Sequence, residues 1–132
     1  MVPLVIVDTS VWVLYFRVPQ SADGEEVERL ITADEVAMVG VVYAELVQGA
    51  RDKDELRVLG DRLEALPYLE AKKGTWRSAG QILLSLRRQG RTISVPDALI
   101  ASLALEGGHQ LYTLDEHFQR VPGLRLHEVK TG

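Results

Sequence analysis

Residues 1–16 read MVPLVIVDTSVWVLYF, and a single carboxylate interrupts this otherwise apolar run. Leu4 to Val7 form a short, continuous run rich in β-branched side chains, which predicts a fully buried strand. Asp8 follows where that strand ends, and two hydroxyl-bearing residues come after it. Burying an unpaired ionised carboxylate is very costly, so Asp8 must cap a helix, bind a ligand or lie at the edge of a sheet.

The rest of the chain alternates short apolar strands with amphipathic helices. Further strands are predicted at Val36 to Val39, Tyr68 to Glu70, Leu111 to Thr113 and Leu124 to His127. Three- and four-residue apolar spacing and helix-end signals predict helices at Val11 to Phe16, Gly24 to Ala33, Val41 to Ala50, Leu56 to Leu66, Trp76 to Gly90 and Ala98 to Leu105, with a short turn at Asp115 to Gln119. This alternation predicts an α/β fold of three α/β/α layers around a mostly parallel sheet, and 132 residues fit a single domain over residues 1–132.

Several side chains have a local interpretation. Asp23 and Glu26 have capping-box spacing at the start of the second helix. Trp12 is expected in the core, because its helix is strongly apolar. His109 follows two glycines and His127 lies near the end of the chain, so both are expected at the surface.

The composition is that of a globular protein without thiol chemistry. The chain is 46% hydrophobic and 26% charged and has no cysteine, which excludes disulfides, thiolate metal sites and a cysteine nucleophile. The absence of cysteine is compatible with the cytoplasm, which is the expected location. The apolar start lacks the basic region and cleavage site of a signal peptide, and it is too short and too charged for a membrane span. No membrane association is expected.

Positive charge is concentrated in one segment, although the net charge is −4. Between Ala71 and Pro96 there is no acidic residue, whereas this segment carries Lys72, Lys73, Arg77, Arg87, Arg88 and Arg91. One interpretation is a solvated helix face, and the other is a basic strip that binds a polyanion such as a nucleic acid. Charge placement alone gives these two interpretations about equal weight.

Four acidic residues are predicted to meet at one edge of the sheet. Asp8 and Asp115 follow strands directly, Glu45 lies in the helix that leaves the second strand, and Asp97 lies at the start of a helix that runs back before the strand at Leu111 to Thr113. In a parallel sheet these positions share the carboxyl edge, where open α/β sheets bind their ligands. The four acids are therefore expected to lie close together.

Such a cluster needs compensation for its charge. Two carboxylates about 4 Å apart repel by roughly 4 kcal/mol at an effective dielectric constant near 20. Hydrogen-bond donors, raised pKa values or a cation such as Mg²⁺ or Mn²⁺ would relieve the repulsion. Helix capping is the alternative explanation for Asp8, Asp97 and Asp115, and a solvated helix face is the alternative for Glu45.

Four fragments resemble successive motifs of the PIN-domain ribonucleases. They are VIVDTSVWV (5–13), YAELVQGA (43–50), SVPDALIASLAL (94–105) and LYTLDEHFQRVPGL (111–124). The resemblance is closest to the VapC-type toxins of toxin–antitoxin pairs, it covers nearly the whole chain, and the four acids are separated by 37, 52 and 18 residues. One motif alone would be weak, but four in order are a strong signal.

The resemblance implies a metal-dependent endoribonuclease. Its acidic quartet around Mg²⁺ or Mn²⁺ would be Asp8, Glu45, Asp97 and Asp115, with Ser10 and Thr113 as supporting residues. Water activated at the metal would hydrolyse RNA and leave 5′-phosphate and 3′-hydroxyl ends. Charge placement alone, and not the resemblance, makes the basic strip a candidate contact for the RNA backbone, chiefly through Arg77, Arg87, Arg88 and Arg91. The resemblance also implies a homodimer and an inhibitory antitoxin partner.

Other functions fit the sequence less well. A phosphatase with an Asp-x-Asp motif is excluded because Ser10 occupies the second position, and a receiver domain would need an acidic pair where Asp8 stands alone. Many PIN domains carry an acid at the position that His117 occupies here. His117 itself is not expected to have a catalytic role. The serious alternative is a catalytically silent PIN fold that binds RNA or protein, and the intact acidic quartet argues against it.

Overall fold

The computed structural model describes residues 2–129 and contains a four-stranded parallel sheet. Its strands are β1 (Val5–Val7), β2 (Val36–Val39), β3 (Tyr68–Leu69) and β4 (Gln110–Tyr112), and they lie side by side in the order β3-β2-β1-β4. In the register, Ile6 of β1 pairs with Ala37 of β2 and with Leu111 of β4. The central β1 is buried along its whole length, as its apolar sequence predicts.

Six helices complete the predicted three-layer α/β/α fold. They are α1 (Thr9–Arg17), α2 (Ala22–Thr32), α3 (Gly40–Gln48), α4 (Lys53–Leu63), α5 (Lys73–Arg88) and α6 (Val95–Gly107), and a 3₁₀ turn spans Glu116–Arg120. Helix α1 packs against α2 and α3, whereas α5 packs against α6. Helix α6 is apolar on nearly every side, and its residues from Ala98 to Ala104 are all buried. Trp12 lies in the core, as predicted.

Two predicted local features are wrong. The cap of α2 is Ser21, whose hydroxyl accepts the Gly24 N–H at 3.0 Å, and not the pair Asp23 and Glu26. The expected last strand at Leu124 to His127 is reduced to one parallel bridge between Leu126 and Leu111.

The apolar spacing of α4 and α5 predicts their buried faces correctly except at the first residue of each. Trp76 on α5 is 52% exposed and Leu56 on α4 is 43% exposed. The buried residues of α5 are Thr75, Ala79 and Leu86. Since successive residues are about 100° apart around a helix, Trp76 lies at the border of that face.

The prediction that two histidines lie at the surface is also wrong. His109 is 4% exposed, its Nδ1 accepts the Leu4 N–H at 2.9 Å, and burial lowers its pKa. The His127 side chain is 13% exposed and lies 2.7 Å from a Glu26 carboxylate oxygen. Neither contact has a local sequence signal. Over residues 2–129, no helix has both the length and the apolar character needed to cross a membrane.

Candidate active site

Asp8 continues the sheet by one residue beyond β1. Its N–H donates to the Tyr112 carbonyl at 2.8 Å, which places Asp8 at the carboxyl edge beside the end of β4. Asp8 is the residue before α1, yet its side chain makes no capping hydrogen bond. The carboxylate is 8% exposed and instead accepts hydroxyl hydrogen bonds at Oδ2, from Thr113 at 2.8 Å and from Ser10 at 3.3 Å. Capping therefore does not explain Asp8.

The same two hydroxyls fix the chain that follows β4. Thr113 Oγ1 accepts the Asp115 N–H at 3.0 Å, and Ser10 Oγ accepts the Leu114 N–H at 3.2 Å. Each hydroxyl thus donates to Asp8 and accepts from the backbone of residues 114–115. This reciprocal bonding holds the Asp115 segment against Asp8.

Glu45 is exposed on α3 and is held by α1. Its Oε1 accepts a hydrogen bond from Thr9 Oγ1 at 3.0 Å. The sequence reasoning did not single out Thr9 for this contact, although Thr9 directly follows Asp8 in the quoted fragment. Residues 8–10 therefore all take part in hydrogen bonds at this edge of the sheet.

Asp97 lies in the first turn of α6. Ser94 caps that helix by accepting the Asp97 N–H at 3.1 Å, so the Asp97 carboxylate is not the cap. Burial raises the pKa of Asp97, a hydrogen bond with Ser94 opposes this, and the charges of Asp8, Asp115 and Glu45 raise it further. The four acids are close enough for three of them to act on the fourth. We call Asp8, Glu45, Asp97 and Asp115 the acidic cluster.

Asp115 is the member of the cluster that capping does explain. It begins the 3₁₀ turn, and its Oδ1 accepts the His117 N–H at 2.9 Å. The same oxygen lies 3.1 Å from Nδ1 of the His117 ring, which is 58% exposed. Asp115 therefore has a local structural role whatever else it does.

The carboxylate oxygens of the acidic cluster are suitable ligands for a hydrated divalent cation. Both side-chain hydrogen bonds found on Asp8 use Oδ2, and within residues 2–129 no lysine or arginine forms an ion pair with Asp8, Glu45 or Asp97. In the same residues, no three acidic or histidine side chains come close enough to enclose an ion directly. Mg²⁺ keeps several waters and is commonly held by one or two carboxylates together with substrate phosphates, so fewer than three direct ligands suffice.

The arginines of the basic strip are spread along α5 and the loop after it. Arg77 and Arg88 lie about 16 Å apart along the α5 axis, on the side opposite its buried residues. Arg87 is exposed near the end of the helix. Of the four, Arg91 lines an open groove that also contains Asp115. Arg120 lines this groove as well, and sequence reasoning missed it because it lies outside the acid-free segment.

Comparison with known proteins gave concordant matches. The family model described as PIN domain matches residues 5–124. Ribonuclease VapC11 of Mycobacterium tuberculosis is 34% identical over 119 residues, which cover 87% of this chain and 89% of that protein. The structure of VapBC2 from Rickettsia felis, bound to a DNA fragment from its promoter, has a TM-score of 0.80 at 24% identity and covers 94% of this chain and 97% of that one. VapBC-1 from nontypeable Haemophilus influenzae has a TM-score of 0.80 at 25% identity, with coverage of 95% and 97%.

Proposed function

The chain belongs to the PIN-domain family and, within it, to the VapC-type ribonucleases, and we propose that it hydrolyses RNA with Mg²⁺ or Mn²⁺ held at the acidic cluster. The observation that carries this proposal is that Thr113 bonds both Asp8 and the Asp115 N–H while Thr9 bonds Glu45, which gathers acids from separate elements at one edge of the sheet. Like charges gathered at one edge of a sheet are costly, and a divalent cation offsets that cost.

Each acid has a role in this proposal. Asp8 and Asp97 would hold the cation, and Glu45 and Asp115 would assist directly or through water. Ser10 and Thr113 orient the Asp8 carboxylate through the hydrogen bonds at Oδ2, which leaves Oδ1 for the ion. The two hydroxyls are therefore positioning residues.

Hydrolysis then follows from the chemistry of a phosphodiester. A cation bound there would lower the pKa of water and offset negative charge on the phosphate. Glu45 or Asp97 accepts a proton from the attacking water. The water oxygen bonds to phosphorus while the bond to the 3′ oxygen breaks, and the departing 3′ oxygen takes a proton from bulk water. The products are a 5′-phosphate and a 3′-hydroxyl.

Partners of the chain are proposed on the same basis. The solved VapBC complexes support a cognate antitoxin that inhibits this chain, which acts as the toxin of the pair, and we infer a homodimer and a cytoplasmic location, where RNA is available. Arg77, Arg87, Arg88 and Arg91 are all exposed and suit contacts with RNA phosphates.

The test is cleavage of a mixed RNA pool with the end chemistry read at each cut. Reactions contain Mg²⁺, Mn²⁺ or EDTA, and Asp97→Asn purified in parallel controls for contaminating nuclease. We expect metal-dependent cuts with 5′-phosphates that are absent in the variant. Equal cleavage by both proteins, or cuts that persist in EDTA, would contradict the proposal. RNA binding without cleavage would instead favour a catalytically silent binding module.

A further inference from the structure

An open groove of about 790 Å³ adjoins the acidic cluster at Asp115. One wall is the loop Gly90, Arg91 and Thr92 between α5 and α6, and the other is formed by residues 114–117 and 119–120 at the 3₁₀ turn. Asp115 belongs both to this groove and to the acidic cluster. A chain bound at the acids therefore has a polar path into the groove.

The position of Arg91 is fixed by the end of α5. Gly90 adopts a left-handed conformation with φ of 74°, its N–H donates to the Arg87 carbonyl, and the Arg91 N–H donates to the Leu86 carbonyl, both at 2.9 Å. This pair of bonds is the Schellman motif that ends many helices. The backbone of Arg91 is therefore held in place while its side chain is exposed at the groove.

Arg120 is fixed from the other wall. Its Nη1 donates to the Thr92 carbonyl at 2.8 Å, so the guanidinium joins the two walls. Its side chain is only partly exposed, and within residues 2–129 no carboxylate forms an ion pair with it. A guanidinium has five N–H donors, so one bond to a carbonyl leaves most of them for a phosphate.

We propose that this groove binds the nucleotide that flanks the cleaved bond, and that Arg91 and Arg120 hold its phosphate. The proposal rests on the proposed function, since it places the cleaved phosphate at the acidic cluster. RNA is favoured over an acidic protein segment because Asp115 connects the groove to that cluster. Gln119 in the same groove offers an amide donor and acceptor to a base edge.

Binding is measured without catalysis, so that it is independent of the metal. A short, mixed-sequence, single-stranded RNA oligonucleotide is titrated in EDTA at several salt concentrations against the wild type, Arg91→Ala, Arg120→Ala and Arg120→Gln. The glutamine variant keeps an N–H donor for the Thr92 carbonyl while it removes the charge. Arg57→Ala on α4 is the matched control, because Arg57 is exposed and, among the described residues, its one ion pair is a long contact of 3.8 Å with Asp54.

The loss of a phosphate contact changes both the affinity for RNA and its dependence on salt. We expect Arg91→Ala, Arg120→Ala and Arg120→Gln each to weaken binding by roughly 5- to 30-fold and to reduce the slope of log K against log salt by about 0.7. Arg57→Ala should change neither quantity. Unchanged affinity and slope in the three groove variants would overturn the proposal. It would also be overturned if Arg120→Ala weakened RNA binding and Arg120→Gln bound as tightly as the wild type, because Arg120 would then have a structural role alone.

The cleavage assay separates this proposal from the function on which it rests. Metal-dependent cleavage with binding that is insensitive to both arginines overturns the groove proposal and leaves the nuclease intact. Arginine-dependent binding without metal-dependent cleavage overturns the nuclease proposal and supports the groove as an RNA site. An acidic peptide is titrated in the same way. If its affinity falls in Arg120→Ala while the affinity for RNA does not, the groove is a protein site and the RNA proposal is overturned.

Discussion

At the scale of single residues, the surroundings of Asp97 favour a bound cation but disfavour the ionised carboxylate when no cation is present. Burial and three neighbouring acids raise its pKa, so the ionised form is less favourable in the folded chain than in the unfolded chain. A group with a raised carboxyl pKa destabilises the fold as pH rises through that pKa. The arrangement that suits a cation therefore lowers the stability of the metal-free protein.

Asp97→Asn should separate stability from activity. In EDTA near neutral pH, we expect the variant to have a Tm about 2–5 °C above the wild type, because it removes one of four like charges. Excess Mg²⁺ should raise the Tm of the wild type but not that of the variant. Differential scanning fluorimetry with and without Mg²⁺ measures both effects. A variant that is less stable than the wild type in EDTA would show that repulsion at Asp97 is not significant.

Thr113 gives a second residue-scale prediction. Thr113→Val keeps the side-chain shape but removes the donor to Asp8 and leaves the Asp115 N–H without its acceptor. We expect the free energy of unfolding to fall by about 1–3 kcal/mol and cleavage to fall at least about tenfold. Thr113→Ser keeps the hydroxyl and should recover most of the cleavage. Urea unfolding and initial cleavage rates measure the two effects, and equal activity of all three proteins would refute the positioning role.

At the scale of elements, the turn from α6 into β4 depends on close packing. Gly107 ends α6, and a Cβ atom added there would overlap the imidazole of His109 at Nε2. That ring is buried and holds the Leu4 N–H just before β1. The backbone N–H of His109 also donates to the Ala104 carbonyl at 2.8 Å, so both the backbone and the ring of His109 are held by hydrogen bonds.

Two glycine substitutions test this packing as a matched pair. Gly107→Ala should lower the free energy of unfolding by about 1–3 kcal/mol, because the His109 ring must move. Gly80 lies inside α5, where an added Cβ meets nothing within 4 Å. Gly80→Ala should therefore raise the free energy by about 0.5–1 kcal/mol through helix propensity. Chemical denaturation gives both values, and a loss of stability in both variants would argue against a specific contact at His109.

At the scale of the whole molecule, the buried carboxylate of Glu26 joins distant parts of the chain. Glu26 on α2 accepts from Arg29 at 2.6 Å and lies 2.7 Å from His127 Nε2, although His127 is 101 residues away. His127 Nδ1 lies 2.9 Å from Gln110 Oε1 on β4. The hydrogen bond from Arg29, opposed by burial and assisted by His127, lowers the pKa of Glu26 to about 2.

Lowering the pH should remove the stabilisation that ionised Glu26 provides through Arg29 and His127. Because the folded-state pKa of Glu26 is depressed from 4.5 to about 2, its contribution is present above the unfolded value and is lost as pH falls through that interval. We expect the contribution to be on the order of 1–3 kcal/mol, reduced by the exposure of Arg29. Urea unfolding of Glu26→Gln should show a weaker loss of stability on acidification than the wild type. Asp54→Asn, at an exposed ion pair, is the control, and a wild-type pH profile in Glu26→Gln would contradict the expectation.

The amino-acid sequence by itself determined the features that rest on local patterns. β-branched runs and helical spacing predicted the parallel sheet and its helices, and the strand ends predicted that Asp8 and Asp115 share the carboxyl edge. The structure brings the charges of the four predicted acids together, while their role as ligands stays a prediction. The strands and helices are predictable because each depends on residues a few positions apart, and the shared edge of the acids follows because parallel strands all end on the same side of the sheet.

Only the tertiary structure decided which polar groups are paired across long distances in the chain. His109 and His127 were expected at the surface, yet one contacts Leu4 and the other contacts Glu26. The role of Thr9 at Glu45 and the place of Arg120 beside Arg91 likewise had no local signal. The physical reason is that a buried polar side chain needs a partner, and that partner comes from whichever segment the fold brings near.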